Sequence, residues 1–251
     1  MPATAGTENL GDLAKDIGEV EFKHTLVRAD EDRVPVVFPG TLKKPQRRKV
    51  YFYDTTKLEL YNESGLVLRA RVTQGDDDDS TVKVRPASLK GDAPWREIVG
   101  VEVELDVSGK GPMCSAKLED TPEHGAVEDV EAEQRQIGSL FSQRQEELVE
   151  AYAPQSVGFD DLEVLGPVDA RKWVFDDLDD FPYKLCIEEW SLPDTTRFIE
   201  LSVKVKRKAA PGAQAAFHAL LERLGVTVGE GQEQKTPRVL KFFADRLAGG
   251  R

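Results

Sequence analysis

The chain has 251 residues, 39% hydrophobic and 32% charged, with a formal net charge of −12. That sign disfavours DNA or RNA as a partner, because such binding rests on basic surfaces that release counterions. No apolar run approaches the roughly 18 residues needed to span a membrane, and residues 1–15 lack the apolar block of a secretory signal. The two cysteines, Cys114 and Cys186, and the three scattered histidines, His24, His124 and His218, match no metal-ligand spacing. A cytoplasmic protein with no nucleic-acid or membrane partner is therefore expected.

In chain order, residues 1–17 read as a flexible lead and 18–248 as a single domain. Strand signals fall at about 18–25, 49–54, 66–73, 80–86 and 97–106. Turn clusters separate them at Asn62-Glu63-Ser64-Gly65 and over 75–80. The four aspartates Asp76 to Asp79 lack the glycine and terminal glutamate of a calcium loop, so they read as a solvated hairpin tip. Residues 107–125 read as loop. From Val127 to about Ala153, Ile137, Leu140, Phe141, Leu148 and Tyr152 recur at helical spacing, and Pro154 ends the helix. This predicts a helical insert at about 107–165, with two roles open to it: covering the main domain or forming a homodimer contact. Strand signals resume at about 171–176, 183–190 and 197–206. Helices follow over 211–224, stopped by Gly225, and over 237–247.

Strand parity carries the functional signal. On a strand, alternate side chains share a face. By that rule Glu19, Glu21 and Lys23 share a face, as do Arg69 with Arg71, Lys83 with Arg85, Glu102 with Glu104, Lys184 with Glu188, and Glu200 with Ser202 and Lys204. Two architectures fit. In one, an open sheet turns its charged face to water. In the other, the sheet closes, the charged faces line its interior and the aliphatic faces pack outward. In a closed lumen, arginine and lysine can grip phosphate oxygens while glutamates hold a hard divalent cation. His24 points away from Lys23 and reads as a packing or surface residue. Trp173 and Trp190 read as core or tunnel-wall aromatics. Lys235, in a polar stretch before the last helix, is within reach of a tunnel mouth but reads first as a solvated lysine.

Taken in order, these segments resemble a known family. Glu19-x-Glu21-x-Lys23 is similar to the signature of the triphosphate tunnel metalloenzymes, the CYTH superfamily. Tyr51-Phe52-Tyr53-Asp54-Thr55 resembles its Tyr-Phe-Asp-Thr segment, and Gly65-Leu66-Val67-Leu68-Arg69-Ala70-Arg71 its Gly-x-x-Leu-Arg-x-Arg strand. Val82-Lys83-Val84-Arg85, Glu102-Val103-Glu104, Arg171, Ile187-Glu188-Glu189-Trp190 and Phe198-Ile199-Glu200-Leu201-Ser202 resemble later strands, so the likeness spans about 18–206. In two places the chain departs from the family: Ser202 stands where a second glutamate is common, and Glu188 where aspartate is usual.

The resemblance implies an α+β fold, an eight-stranded antiparallel β-barrel (a tunnel) with flanking helices. It implies phosphate binding by Lys23, Arg69, Arg71, Lys83, Arg85 and Arg171. It implies metal binding by Glu19, Glu21, Glu102, Glu104, Glu188 and Glu200, with Glu19, Glu21 and Lys23 closest to the chemistry. The cofactor would be Mg²⁺ or Mn²⁺, one ion or two given Ser202. The partner would be a triphosphate-containing small molecule. Metal-dependent hydrolysis of inorganic tripolyphosphate or a nucleoside triphosphate is the leading expectation. A class IV-type adenylate cyclase, a thiamine triphosphatase and a polyphosphate- or nucleotide-binding module are the alternatives.

Overall fold

A computed structural model of the chain describes residues 15–26, 38, 44–176, 178, 180–226 and 235–249. Most of the expected N-terminal lead, residues 1–14, lies outside the described residues. Nine strands form a closed barrel: β1 (Ile17–Thr25), β2 (Gln46–Asp54), β3 (Leu66–Thr73), β4 (Asp79–Val84), β5 (Glu102–Ser108), β6 (Gly111–Asp120), β7 (Glu163–Phe175), β8 (Leu185–Ser191) and β9 (Arg197–Lys206). Their order around the ring is β1-β5-β6-β4-β3-β2-β7-β8-β9. Every neighbouring pair is antiparallel except β1 with β5, which is parallel. Geometry requires at least one such exception, because an odd number of strands cannot alternate direction all the way round a closed ring.

The expected barrel is therefore present, with nine strands instead of eight. The additional strand is β6, in a stretch read as loop. Its Gly111 (φ 95°) and Pro112 belong to the tip of the β5–β6 hairpin. Pairing with β4 on one side and β5 on the other overrides the weak strand preference of Met113-Cys114-Ser115-Ala116. β7 is also longer than expected, thirteen residues, because Gly166-Pro167 marks a register shift against β2 and not a strand end.

The long insert helix is divided. It forms α2 (Ala126–Glu131), a 3-10 turn (Ile137–Leu140) and α3 (Gln143–Glu150). Ser142 and Gln145 make the capping box of α3. Gln145 also donates to the carbonyls of Ser80 (3.0 Å) and Leu118 (3.2 Å), tying the helix to two barrel strands. The other helices are α1 (Glu59–Ser64), α4 (Ala210–Arg223) and α5 (Lys235–Gly249). Gly225 (φ 62°) ends α4: its N–H reaches Glu222 O, and that of Val226 reaches Leu221 O, the pairing of a Schellman stop.

The apolar layer lies outside the barrel. Tyr51, Leu66, Leu68, Val82, Leu105, Ile187 and Leu201 are buried beneath the helices in one cluster with Val127, Leu148 and Phe217. Each such side chain contributes about 1.5–3 kcal/mol relative to exposure. His24 joins this outer side and is buried. A second cluster closes one end of the interior. There Val50, Phe52, Trp190 and Phe198 meet Val239, Leu240 and Phe243 of α5. The charged strand faces line what remains of the interior.

Candidate functional site

The interior cavity, about 510 Å³, is lined by ten lysines and arginines and seven acids. Its formal charge is thus positive inside a chain of net charge −12. Strand register sorts these groups by wall and depth.

On the β1–β5–β4 wall, one carboxylate organises three cations. Asp106 Oδ1 lies 2.6 Å from Lys23 Nζ, and its Oδ2 lies 2.9 Å from Lys83 and 2.7 Å from Arg85. Ser115 Oγ donates to the same oxygen at 3.0 Å. Glu104 holds Lys83 (2.5 Å) and Lys204 (2.8 Å), and Glu21 lies 3.0 Å from Lys23. On the adjoining strand β3, Arg71 Nε donates to Asp79 of β4 at 2.8 Å, and Arg69 donates to Thr81 Oγ1 of β4 at 3.0 Å. At the closed end, Lys235 of α5 places its ammonium 2.8 Å from both Glu188 and Glu200, and 4.4 Å from the centre of the Trp190 ring.

Burial and charge act against each other here. Burial alone would raise Asp106, Glu104 and Glu188, but neighbouring cations outweigh it and hold all three carboxyls well below the usual range. For Asp106 those cations are Lys23, Lys83 and Arg85; for Glu188, Lys235 comes first. Burial likewise opposes the charge of Lys23, yet Glu21, Asp106 and Glu200 keep it above the ordinary lysine value. Lys83 goes the other way. Burial, together with Lys23 and Arg85, outweighs Asp106 and Glu104 and brings it down to about 8. Burial brings Arg69 down to about 10, with Arg71 adding to the effect.

The structure gathers Glu19, Glu21, Lys23, Arg69, Arg71, Lys83, Arg85, Glu104, Glu188 and Glu200 around the cavity. Two expected residues stand apart. The Glu102 side chain is 71% exposed beyond the mouth. Arg171 is 55% exposed, 3.8 Å from Glu189, and its neighbour Lys172 takes the inner face of β7. The aromatic strand after Arg171 drew attention to the wrong parity. Lys235, read as solvated, is 9% exposed and fills the closed end, a placement set by the tertiary path of α5. Asp106 was missed although it continues the parity of Glu102 and Glu104. Lys117 and Glu119 were missed with β6. Ser202 lines the cavity as its parity requires. Asp79, the last of the aspartate run, is a strand residue bound to Arg71. Asp54 is structural: its carboxylate accepts N–H bonds from Thr55, Leu60 and Tyr61 at 2.7, 3.0 and 3.0 Å, which caps α1.

The residues fit a divalent cation. Glu21, Glu104 and Asp106 each bring a carboxylate oxygen within 4.8 Å of the others, an all-oxygen donor set of the kind hard cations take. Among the described residues, no other group of three such side chains meets this spacing.

No protein-family model matches the chain, and no curated protein matches it in sequence. Solved structures do match. A candidate adenylate cyclase from Bacillus halodurans superposes with a TM-score of 0.60 at 12% identity, covering 88% of this chain and 97% of the other. A candidate adenylyl cyclase from Hippeastrum, described as having a dominant triphosphatase activity, superposes with a TM-score of 0.61 at 14% identity, covering 94% of this chain and 97% of the other. At these identities the likeness establishes architecture. The chain has the closed β-barrel fold of these structures.

Proposed function

We propose that this chain hydrolyses a phosphoanhydride bond of a triphosphate, inorganic tripolyphosphate or a nucleoside triphosphate, with Mg²⁺ or Mn²⁺. The observation that carries the reading is the reversal of sign: an interior richer in bases than acids, closed at one end, within a strongly acidic chain. Such a lumen suits a compact polyanion. The triphosphatase activity described for the Hippeastrum protein supports the hydrolytic choice.

The side chains have separable tasks. Lys23, Lys83 and Arg85, with Arg69 and Arg71 of the adjoining β3, donate charge-assisted hydrogen bonds to phosphate oxygens. Each of the first three now holds Asp106, so phosphate oxygens replace a carboxylate as their partner. Glu21, Glu104 and Asp106 would hold the cation, with Glu19, Glu188 and Glu200 as further carboxylates along the lumen. When bound, a divalent ion supplies neutralisation of charge on the phosphate oxygens. A glutamate of this set accepts a hydrogen bond from the attacking water and orients it. The fixed cations stabilise developing charge in a confined site, where each acts more strongly than in bulk water. No covalent intermediate is needed.

Product analysis tests the reading. The protein is incubated with tripolyphosphate, ATP or thiamine triphosphate, each with Mg²⁺, Mn²⁺ or chelator. Metal-dependent release of inorganic phosphate is expected. Pyrophosphate and cyclic AMP from ATP would replace hydrolysis with cyclisation. Tight binding without any product would leave a polyphosphate- or nucleotide-binding module.

A further inference from the structure

Lys235 is the first residue of α5 and lines the lumen together with Glu188, Trp190 and Glu200. The helix sets its place. Val239 and Phe243 follow at steps of four residues, so they share its stripe of α5, and both are buried in the interior cluster with Phe52, Trp190 and Phe198. The helix that closes the barrel thus aims a lysine inward. The ammonium lies 2.8 Å from Glu188 Oε2, 2.8 Å from Glu200 Oε1 and 4.4 Å from the centre of the Trp190 ring. Two carboxylates and an aromatic face surround it. The carboxylates have further partners. Glu188 Oε1 lies 3.6 Å from Arg48 Nη1, Trp190 Nε1 donates to Glu188 Oε2 at 3.3 Å, and Thr25 Oγ1 donates to Glu200 Oε2 at 3.5 Å.

An ammonium and a hard divalent cation compete for the same carboxylate oxygens. A divalent ion shared by Glu188 and Glu200 would have to sit where the ammonium sits, and an ion beside it would meet a like charge at short range. Lys83 spans Glu104 and Asp106 in a similar way, but there Glu21 brings a third carboxylate into the group. At the closed end the lumen-facing residue of β9 that follows Glu200 is Ser202, whose hydroxyl adds no charge. Among the described residues no third carboxylate joins Glu188 and Glu200 at metal-ligating spacing. These two acids are matched by two cations of the chain itself, Lys235 and Arg48.

We propose that Lys235 is a built-in cation in the place of a second metal ion: the lumen takes one divalent ion, at Glu21, Glu104 and Asp106, while Glu188 and Glu200 hold the ammonium of Lys235 and no metal. This rests on the metal-dependent reading above and fixes its ion count. The positive charge at the closed end is then supplied by the chain, whatever the metal concentration.

The test is a titration of Mn²⁺ into the protein without triphosphate, free Mn²⁺ being read by electron paramagnetic resonance, alongside melting temperatures with and without Mn²⁺. A single tight site is expected in the parent, lost in Glu21→Gln and kept in Glu188→Gln. Lys235→Ala leaves two buried carboxylates uncompensated, so it is expected to melt roughly 6 °C or more below the parent. It is also expected to bind a second Mn²⁺, and to be raised by Mn²⁺ at least about 3 °C more than the parent is. Adding Glu188→Gln to Lys235→Ala should remove that second site. Two tight sites in the parent, or loss of its site in Glu188→Gln, would overturn the proposal and leave the metal-dependent reading standing. So would a folded Lys235→Ala that binds a single ion. Should Lys235→Ala fail to fold, the counts in the parent and in Glu188→Gln decide. Absence of Mn²⁺ binding by the parent would overturn the metal-dependent reading along with this one.

Discussion

Asp106 shows how the interior is held ready. One carboxylate, 3% exposed, restrains Lys23, Lys83 and Arg85 at 2.6–2.9 Å, so three cations sit close together without a ligand. If phosphate takes over those contacts, loss of one cation should be costly. Lys83→Ala is expected to lower kcat/KM on tripolyphosphate by roughly 10²–10³-fold, the scale of losing one key electrostatic donor. Arg171→Ala, on the outer face, is expected to change it less than about threefold, as for an exposed pair. Steady-state assays of both variants check this, and equal effects would contradict the assignment of inner and outer faces. Lys83 also sets a pH limit. With its value near 8, it loses its charge as pH rises through that region, so kcat/KM should fall on the alkaline side. Lys83→Arg should move that limb upward, because guanidinium keeps its proton; superimposable pH profiles would count against Lys83. Asp106 was missed, although the parity of Glu102 and Glu104 carries on to it. Lys235 was not legible, because a lysine 47 residues from Glu188 reaches it only through the path of α5.

At the scale of elements, most strands were legible because they alternate charged and apolar residues. β6 was not, since its glycine and proline mark a hairpin tip at its very start, and only pairing on both sides keeps the following residues extended. The insert helix showed the reverse failure. A helical composition over 127–153 conceals a break where Glu133 takes φ 57°. Gly65, by contrast, has a clear physical reason. Its φ is 64°, and a Cβ there would stand 1.9 Å from the carbonyl oxygen of Arg85. Its own carbonyl accepts the N–H of Arg85 at 2.9 Å, so this glycine links the start of β3 to the end of β4 beside a lumen-lining arginine. Gly65→Ala is expected to destabilise the fold by more than the roughly 1–2 kcal/mol of left-handed backbone strain, because backbone must move to relieve the clash. Denaturant unfolding measures this, and a loss under about 0.5 kcal/mol would show that the two strands adjust freely.

At the scale of the whole molecule, a barrel with its charges inside and its apolar faces outside derives its stability from two sources. The outer layer is apolar burial and is insensitive to pH. The interior depends on ionised carboxylates. Asp106, Glu104 and Glu188 have lowered values in the folded state, so their contribution is complete above the unfolded carboxyl range near pH 4. It is lost as pH falls below that range toward the folded values. Asp54 and Asp78, both raised by burial, work in the opposite direction. The melting temperature is therefore expected to hold between about pH 5 and 7 and to fall steeply below about pH 4; a flat profile down to pH 3 would mean that the interior pairs add nothing to stability. Closure of the sheet and its charged lumen followed from parity together with the motif resemblance. The closed end did not, because α5 meets the interior cluster through contacts between residues far apart in sequence.

The most direct test of the account is a crystal structure of the protein with tripolyphosphate and Mn²⁺, the ion located by its anomalous signal. A phosphate chain inside the barrel against Lys83, Arg85 and Arg69, with Mn²⁺ among Glu21, Glu104 and Asp106, is expected. A phosphate chain bound outside the barrel, or Mn²⁺ held only by surface acids such as the Asp76–Asp78 turn, would contradict it.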